Sequence, residues 1–242
     1  MRPGNYPITA FFLVAAILLG VSQTAALENL VPKVTRKIIR ENNRPKKFNI
    51  TARCPQIVGS AAFNRRAEQI VRQNIADFKK DAGPAMRGGR VRVLDIGYVV
   101  SLVTDDLISI GFGAEWDTGG AHPNSYSFVL NYDLAHGREL ALRNLFKPNS
   151  NYLRAVSDYC IKQLMKEDLD REWVGTGAGP DPKNYRSWRI KRNGIEITFD
   201  DYQVASHADG PKEVLVPYSI IRNYVGSSSP ISAFVKLPEV RE

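Results

Sequence analysis

Cysteine and histidine are scarce in this chain. Cys54 and Cys160 are the only cysteines, and His122, His136 and His207 the only histidines. No two histidines have the close spacing of a metal pair and none sits beside a cysteine, so no zinc-type signature is present. No Gly-x-Ser-x-Gly elbow marks a serine hydrolase. Gly175-Thr176-Gly177-Ala178-Gly179-Pro180 is glycine-rich, but its spacing is wrong for a nucleotide loop. Pro180 also stands where a helix would begin, so the run reads as a linker. Asp105-Asp106 and Asp200-Asp201 are most simply turn residues, and any glycosidase-type carboxylate pair would have to assemble in three dimensions. The sequence implies no metal and no cofactor. Beyond the first residues, no stretch is apolar enough to span a membrane.

What is present begins with a compartment signal. Arg2 supplies a positive start, Ala10 to Val21 is an uncharged apolar run, and Thr24-Ala25-Ala26 places small residues at a cleavage point. Residues 1–26 therefore read as a secretory signal peptide, which predicts a periplasmic or secreted protein. In an oxidising compartment Cys54 and Cys160 are candidates for a disulfide; two buried free thiols are the alternative. Lys and Arg number 33 against 25 Asp and Glu, giving +8. Much of the excess lies early: Lys33, Arg36, Lys37, Arg40, Arg44, Lys46, Lys47 and Arg53 face Glu41 alone. Such charge favours anionic envelope surfaces, or serves only solubility. The compartment argues against nucleic acid.

Hydrophobic periodicity supplies the outline. Residues 27–45 read as a flexible basic arm, with a short helix near Val34 to Ile39. Phe48 to Arg53 alternates as a strand. Ala61 to Lys80 is the clearest helix, with Phe63, Ala67, Ile70, Val71, Asn74 and Phe78 on one face. Val91 to Val103, Leu107 to Trp116 and Tyr126 to Tyr132 read as strands, with another starting at Arg138. Asn149 to Leu169 reads as a second helix with Cys160 inward. Asn193-Gly194 between alternating runs is a strong hairpin signal. A short strand at Val214 to Val216, a short helix at Tyr218 to Val225 and a loose tail over residues 227–242 complete the chain. Segregated helices and strands predict an α+β fold of antiparallel sheets packed with two main helices.

One loop draws attention. Gly119-Gly120-Ala121-His122-Pro123 joins two strands, and the proline holds His122 extended on a stiffened turn. His122 as a general acid or base lacks a visible partner, so ligand contact or loop hydrogen bonding is the simpler role. Gly119, Gly120, His122, Trp116, Asp117, Tyr202 and His207 form the candidate binding surface.

An ordered set of short motifs then brings a family into view. It comprises Ile50, Pro55-Gln56-Ile57, Phe63-Asn64, Gly119 to Pro123, Asn131-Tyr132-Asp133, Gly137-Arg138-Glu139-Leu140, Ile195 to Tyr202, Gly210 and Val216-Pro217-Tyr218. In this order they resemble the extracellular domain of RsiV-type anti-sigma factors. The same modules precede the catalytic domain in PdaC-type polysaccharide deacetylases. The resemblance implies two intimately joined modules, residues 46–118 and 119–226, in an envelope-facing α+β protein. It departs from both settings, for only Met1 to Thr9 precedes the apolar run and no deacetylase domain follows Tyr218. The expected function is non-enzymatic binding of cell-wall polymer, an anionic envelope component or an envelope protein. An enzyme acting on wall glycan or peptide is the alternative. Lysozyme, which RsiV-type proteins bind, is a further possible partner, disfavoured here because two basic surfaces repel.

Overall fold

The computed structural model describes residues 31–43, 47–81, 91–118 and 123–236. The expected signal peptide and residues 119–122 of the glycine loop lie outside these residues. The protein is α+β. Among the described residues, six strands form one curled sheet in the order β1-β2-β3-β4-β5-β6, and three form a second, β7-β8-β9. The first sheet comprises β1 (Val34–Asn43), β2 (Phe48–Ile57), β3 (Arg92–Val103), β4 (Leu107–Asp117), β5 (Asn124–Asp133) and β6 (Arg138–Glu139). The second comprises β7 (Trp188–Lys191), β8 (Gly194–Phe199) and β9 (Lys212–Pro217). All neighbours run antiparallel except β2 and β3, which are parallel because helix α1 (Ala61–Asp81) crosses between them. The expected joint at residue 119 lies outside the described residues, between β4 and β5, which pair antiparallel from Leu107↔Asp133 to Trp116↔Asn124.

Helix α1 forms where its periodicity places it. Phe63, Ala67, Val71, Ile75 and Phe78 are buried against the sheet, each large side chain contributing about 1.5–3 kcal/mol. The expected face differs by one residue: Ile75 is inside, whereas the Asn74 side chain turns back to the Ile70 carbonyl at 2.9 Å. Asn64 pins the helix to the end of β2, accepting from the Ile57 N–H at 2.7 Å and donating to the Ile57 carbonyl at 2.9 Å. The second core lies between the three-stranded sheet and helices α2 (Tyr152–Leu164), α3 (Arg171–Gly177), α4 (Tyr218–Ile221) and α5 (Ser232–Val235). No helix among the described residues is long and apolar enough to cross a membrane.

Several expectations are corrected. The basic arm, with its short helix, is a strand from Val34 to Asn43, paired with β2 along ten residues. Its alternation carries two meanings at once. Lys37 bonds Glu68 of α1 at 2.7 Å, Glu41 pairs with Lys79, and Ile39 between them is buried. Arg36, Ile38 and Arg40 alternate with these residues and are exposed, so a charged segment hides a period of two. The glycine-rich linker begins inside α3, which Asp170 caps by accepting from the Trp173 N–H at 2.8 Å. Gly177 belongs there because a Cβ would lie 1.8 Å from the Gln203 carbonyl oxygen. The tail is anchored by fully buried Ile231 and by Ser229, which donates to the Leu145 carbonyl at 2.7 Å.

The expected disulfide is absent: Cys54 and Cys160 are both free and buried. Cys54 belongs to the core under α1 and Cys160 to the core under α2, so no bridge closes. Burial pushes the thiols up, Cys54 to about 11 and Cys160 to about 12, and both are poor nucleophiles.

The two sheets meet at a buried polar joint. Ser109 of β4 donates to Asn131 Oδ1 of β5 at 2.6 Å, and Asn131 Nδ2 donates to the Trp188 carbonyl at 2.8 Å. The Ile190 N–H donates to Ser109 Oγ at 2.8 Å, completing the circuit. The outer edge of β7 thus rests on side chains rather than on another strand. Replacing Asn131 with Ala strands the Trp188 carbonyl and should cost about 2–3 kcal/mol in urea unfolding. In thiol titration with an aromatic disulfide, the intact protein should react slowly and the unfolded protein should yield both thiols. A native protein without titratable thiols after unfolding would restore the disulfide.

Candidate functional site

The joint leaves a cleft on either side of β5. One lobe, about 550 Å3, lies over the face of β3, β4 and β5 opposite α1. Gly97, Gly111 and Gly113 line its floor, and Asp95, Glu115, Ser125, Thr198 and Glu213 supply polar groups. Arg189 of β7 lies across Gly111 and is held by Glu196 and, at 2.7 Å, by Glu213. The other lobe, about 750 Å3, runs beside β5 between Leu140 to Arg143, Tyr152 and residues 182–188. Ser127, Ser187 and Asp200 belong to both lobes and form the partition.

The partition is closely bonded. Asp200 Oδ1 accepts from the Ser127 N–H at 3.0 Å and from its hydroxyl at 2.5 Å. With that proton used, the 2.8 Å contact between the Ser127 and Ser187 hydroxyls draws its proton from Ser187. Burial pushes the Asp200 carboxyl above its usual range, against the Ser127 hydrogen bonds; nearby Asp201 adds to the rise.

Asp201 points to the neighbouring cluster. Its Oδ2 accepts from Ser125 Oγ at 3.1 Å and lies 3.2 Å from His207 Nδ1. Its Oδ1 is buried and meets no hydrogen-bond partner among the described residues. The Tyr202 ring stacks on His207 with centroids 5.7 Å apart, and the Tyr202 carbonyl accepts from Trp173 Nε1 at 3.0 Å. Tyr202 sits at φ 65, a left-handed conformation that these contacts hold in place. Serine, carboxylate and imidazole are therefore together, but the carboxylate is in the middle. A serine nucleophile needs the imidazole next to its hydroxyl, so this order positions a loop and transfers no proton from Ser125 to His207.

Of the sequence candidates, the structure joins Tyr202 and His207. Trp116 faces the α1 side of the sheet, where it lines a cavity of about 290 Å3 with Phe78, Asp77, Asp81 and Tyr126. Asp117 closes β4 opposite Val93 of β3. Gly119, Gly120 and His122 lie outside the described residues. The sequence reading missed Ser125, Ser127, Ser187 and Arg189, which carry no motif. Asp200 and Asp201 were legible only as turn residues.

Asp200 should leave a pH signature. Its folded form holds a proton more tightly than the unfolded chain, so ionisation weakens the fold as pH rises. Asp200→Asn keeps the Oδ1 acceptor without the charge. Melting curves should show this variant gaining on the parent as pH rises through and above the ordinary carboxylate range, about pH 4; a pH-independent difference would remove the assignment.

Comparison with known proteins agrees with the fold. Residues 143–219 match the family model described as "Protein of unknown function (DUF3298)". The chain is 26% identical over 189 residues to the peptidoglycan-N-acetylmuramic acid deacetylase PdaC of Bacillus subtilis, covering 75% of this chain and 40% of PdaC. It is 27% identical over 105 residues to the immunogenic protein MPT64 of Mycobacterium tuberculosis, covering 43% of this chain and 46% of MPT64. The chain thus spans less than half the length of these curated relatives. A crystal structure of a DUF3298-family protein from Bacteroides fragilis superposes with a TM-score of 0.63 at 20% identity, covering 85% of this chain and 97% of that one. At that identity the likeness speaks for the fold alone. The chain is thus an α+β protein that is similar to the DUF3298 family over residues 143–219 and shares its fold with a solved member of that family.

Proposed function

We propose that the protein is an exported, non-catalytic envelope module that holds peptidoglycan-type wall polymer in the lobe over β3–β5. The observation that carries this reading is the open glycine floor beneath a hydrogen-bonding rim. A Cβ added at Gly97 or Gly113 would meet nothing within 4 Å, so the floor leaves room for a ligand. Asp95, Glu115, Ser125, Thr198 and Glu213 around it suit the hydroxyl and amide groups of a wall glycan. Similarity to PdaC, named for peptidoglycan deacetylation, supports the ligand class. The lobe has more carboxylates than cations, which favours a neutral or cationic ligand over an anionic one.

The same carboxylates favour a second reading. An acidic lobe attracts a basic protein such as lysozyme, even on a chain of +8 overall.

Two measurements separate these readings. The protein should co-sediment with purified peptidoglycan sacculi at low salt. Gly113→Trp, which builds into open space, should weaken this by about tenfold while leaving the melting temperature nearly unchanged. Sacculi that leave the protein in the supernatant defeat the first reading. Lysozyme activity that falls as the protein is titrated in supports the second.

A further inference from the structure

The lobe beside β5 contains an unfinished sheet edge. β4 covers one side of β5 from Asn124 to Asp133, whereas β6 covers the other only opposite Tyr132 and Asp133. Burial follows the coverage: Leu130 to Asp133 are buried, while Asn124 to Val129 are half-buried or exposed. The hydrogen bonds show which backbone groups face outward. The Ser127 N–H points away from β4 to Asp200, and the Asn131 carbonyl accepts from the Leu140 N–H at 2.8 Å. By the period of two, Ser125 and Val129 also turn their N–H and C=O groups outward. The cavity of about 750 Å3 runs along these residues.

From this geometry we propose that the free edge of β5 is a strand-addition site for an extended, acidic segment of a partner protein. Outward-facing groups on β5 recur at roughly 7 Å, and an extended polypeptide presents complementary groups at the same repeat. The side walls supply selectivity. Leu142, Tyr152 and Leu153 offer apolar surface, and exposed Arg143 and Arg186 stand in the lining. Neither arginine forms a salt bridge among the described residues, unlike neighbouring Lys183, which is 3.0 Å from Asp181. An incoming strand with apolar side chains alternating with Glu or Asp fits both features. Asp200 meanwhile guards the edge, as inward-pointing charges do on natural edge strands. An incoming carbonyl takes the Ser127 N–H, and Asp200 keeps the Ser127 hydroxyl. The site shares Ser127, Val129, Ser187 and Asp200 with the glycine-floored lobe but opens on the other side of them, and it does not depend on wall-polymer binding.

The test uses the full chain and a synthetic peptide of about nine residues alternating valine and glutamate, followed by tryptophan fluorescence, since Trp188 lines the lobe. Saturable binding is expected. A valine–lysine counterpart, and a valine–glutamate peptide N-methylated along its pairing edge, should each bind about tenfold more weakly. The Arg143→Glu, Arg186→Glu double variant should reverse the charge preference. Val129→Pro removes one outward donor without a ladder bond to β4, and should weaken the parent peptide by a similar factor. If that variant unfolds, the N-methylated peptide still decides the matter. No saturable binding up to millimolar peptide, or equal binding of the N-methylated form, overturns the proposal. Sacculus binding unchanged by saturating peptide would confirm two separate sites; competition would overturn their separation.

Discussion

The placement of the two sheets, and with it the shape of both lobes, depends on the buried circuit of Ser109, Asn131, Trp188 and Ile190. Two sheets with apolar faces would ordinarily stack flush, about 10 Å apart, and leave no cleft. Here β7 instead rests its edge on two polar side chains of β4 and β5. The circuit is fully satisfied, so its burial costs little, and it fixes one relative placement of the sheets. The openings on either side of β5 are what that placement leaves unfilled.

β5 is consequently the strand with most demands on it. Its even-numbered residues pack toward α1, while Ser125, Ser127, Val129 and Asn131 address the second sheet. Consecutive aspartates after β8 divide the polar work. Asp200 bonds Ser127, and Asp201 bonds Ser125 and stands beside His207. Their local carboxylate character contrasts with the basic chain as a whole. Net charge describes long-range attraction, whereas the lobe's lining decides which ligand fits closely.

Legibility in the sequence followed the range of the interactions. Helix α1 was visible because its apolar residues repeat every three or four positions, and the β7–β8 hairpin because Asn193-Gly194 marked a break between two alternating runs, although the turn itself is Arg192-Asn193 and Gly194 opens β8, where a Cβ would lie 2.4 Å from the Val216 carbonyl oxygen. β1 was hidden because its single buried apolar side chain, Ile39, is flanked by charges whose partners lie on α1. The tail looked loose because its anchor, Ser229, bonds a carbonyl 84 residues away. The cysteines looked like a pair because composition counts thiols without locating them; the fold assigns them to different cores.

The sequence by itself determined the α+β class, the main helix and most of the strands, since periodicity and turn chemistry act over a few residues. The ordered motifs also carried a resemblance, which the family match over residues 143–219 supports. Only the tertiary structure decided that Cys54 and Cys160 stay apart, that the basic segment is an edge strand, and that Asp200 is a partition rather than a turn residue. Those outcomes rest on contacts between residues tens of positions apart. Such contacts are selected by which faces can be buried together, and no local pattern records them.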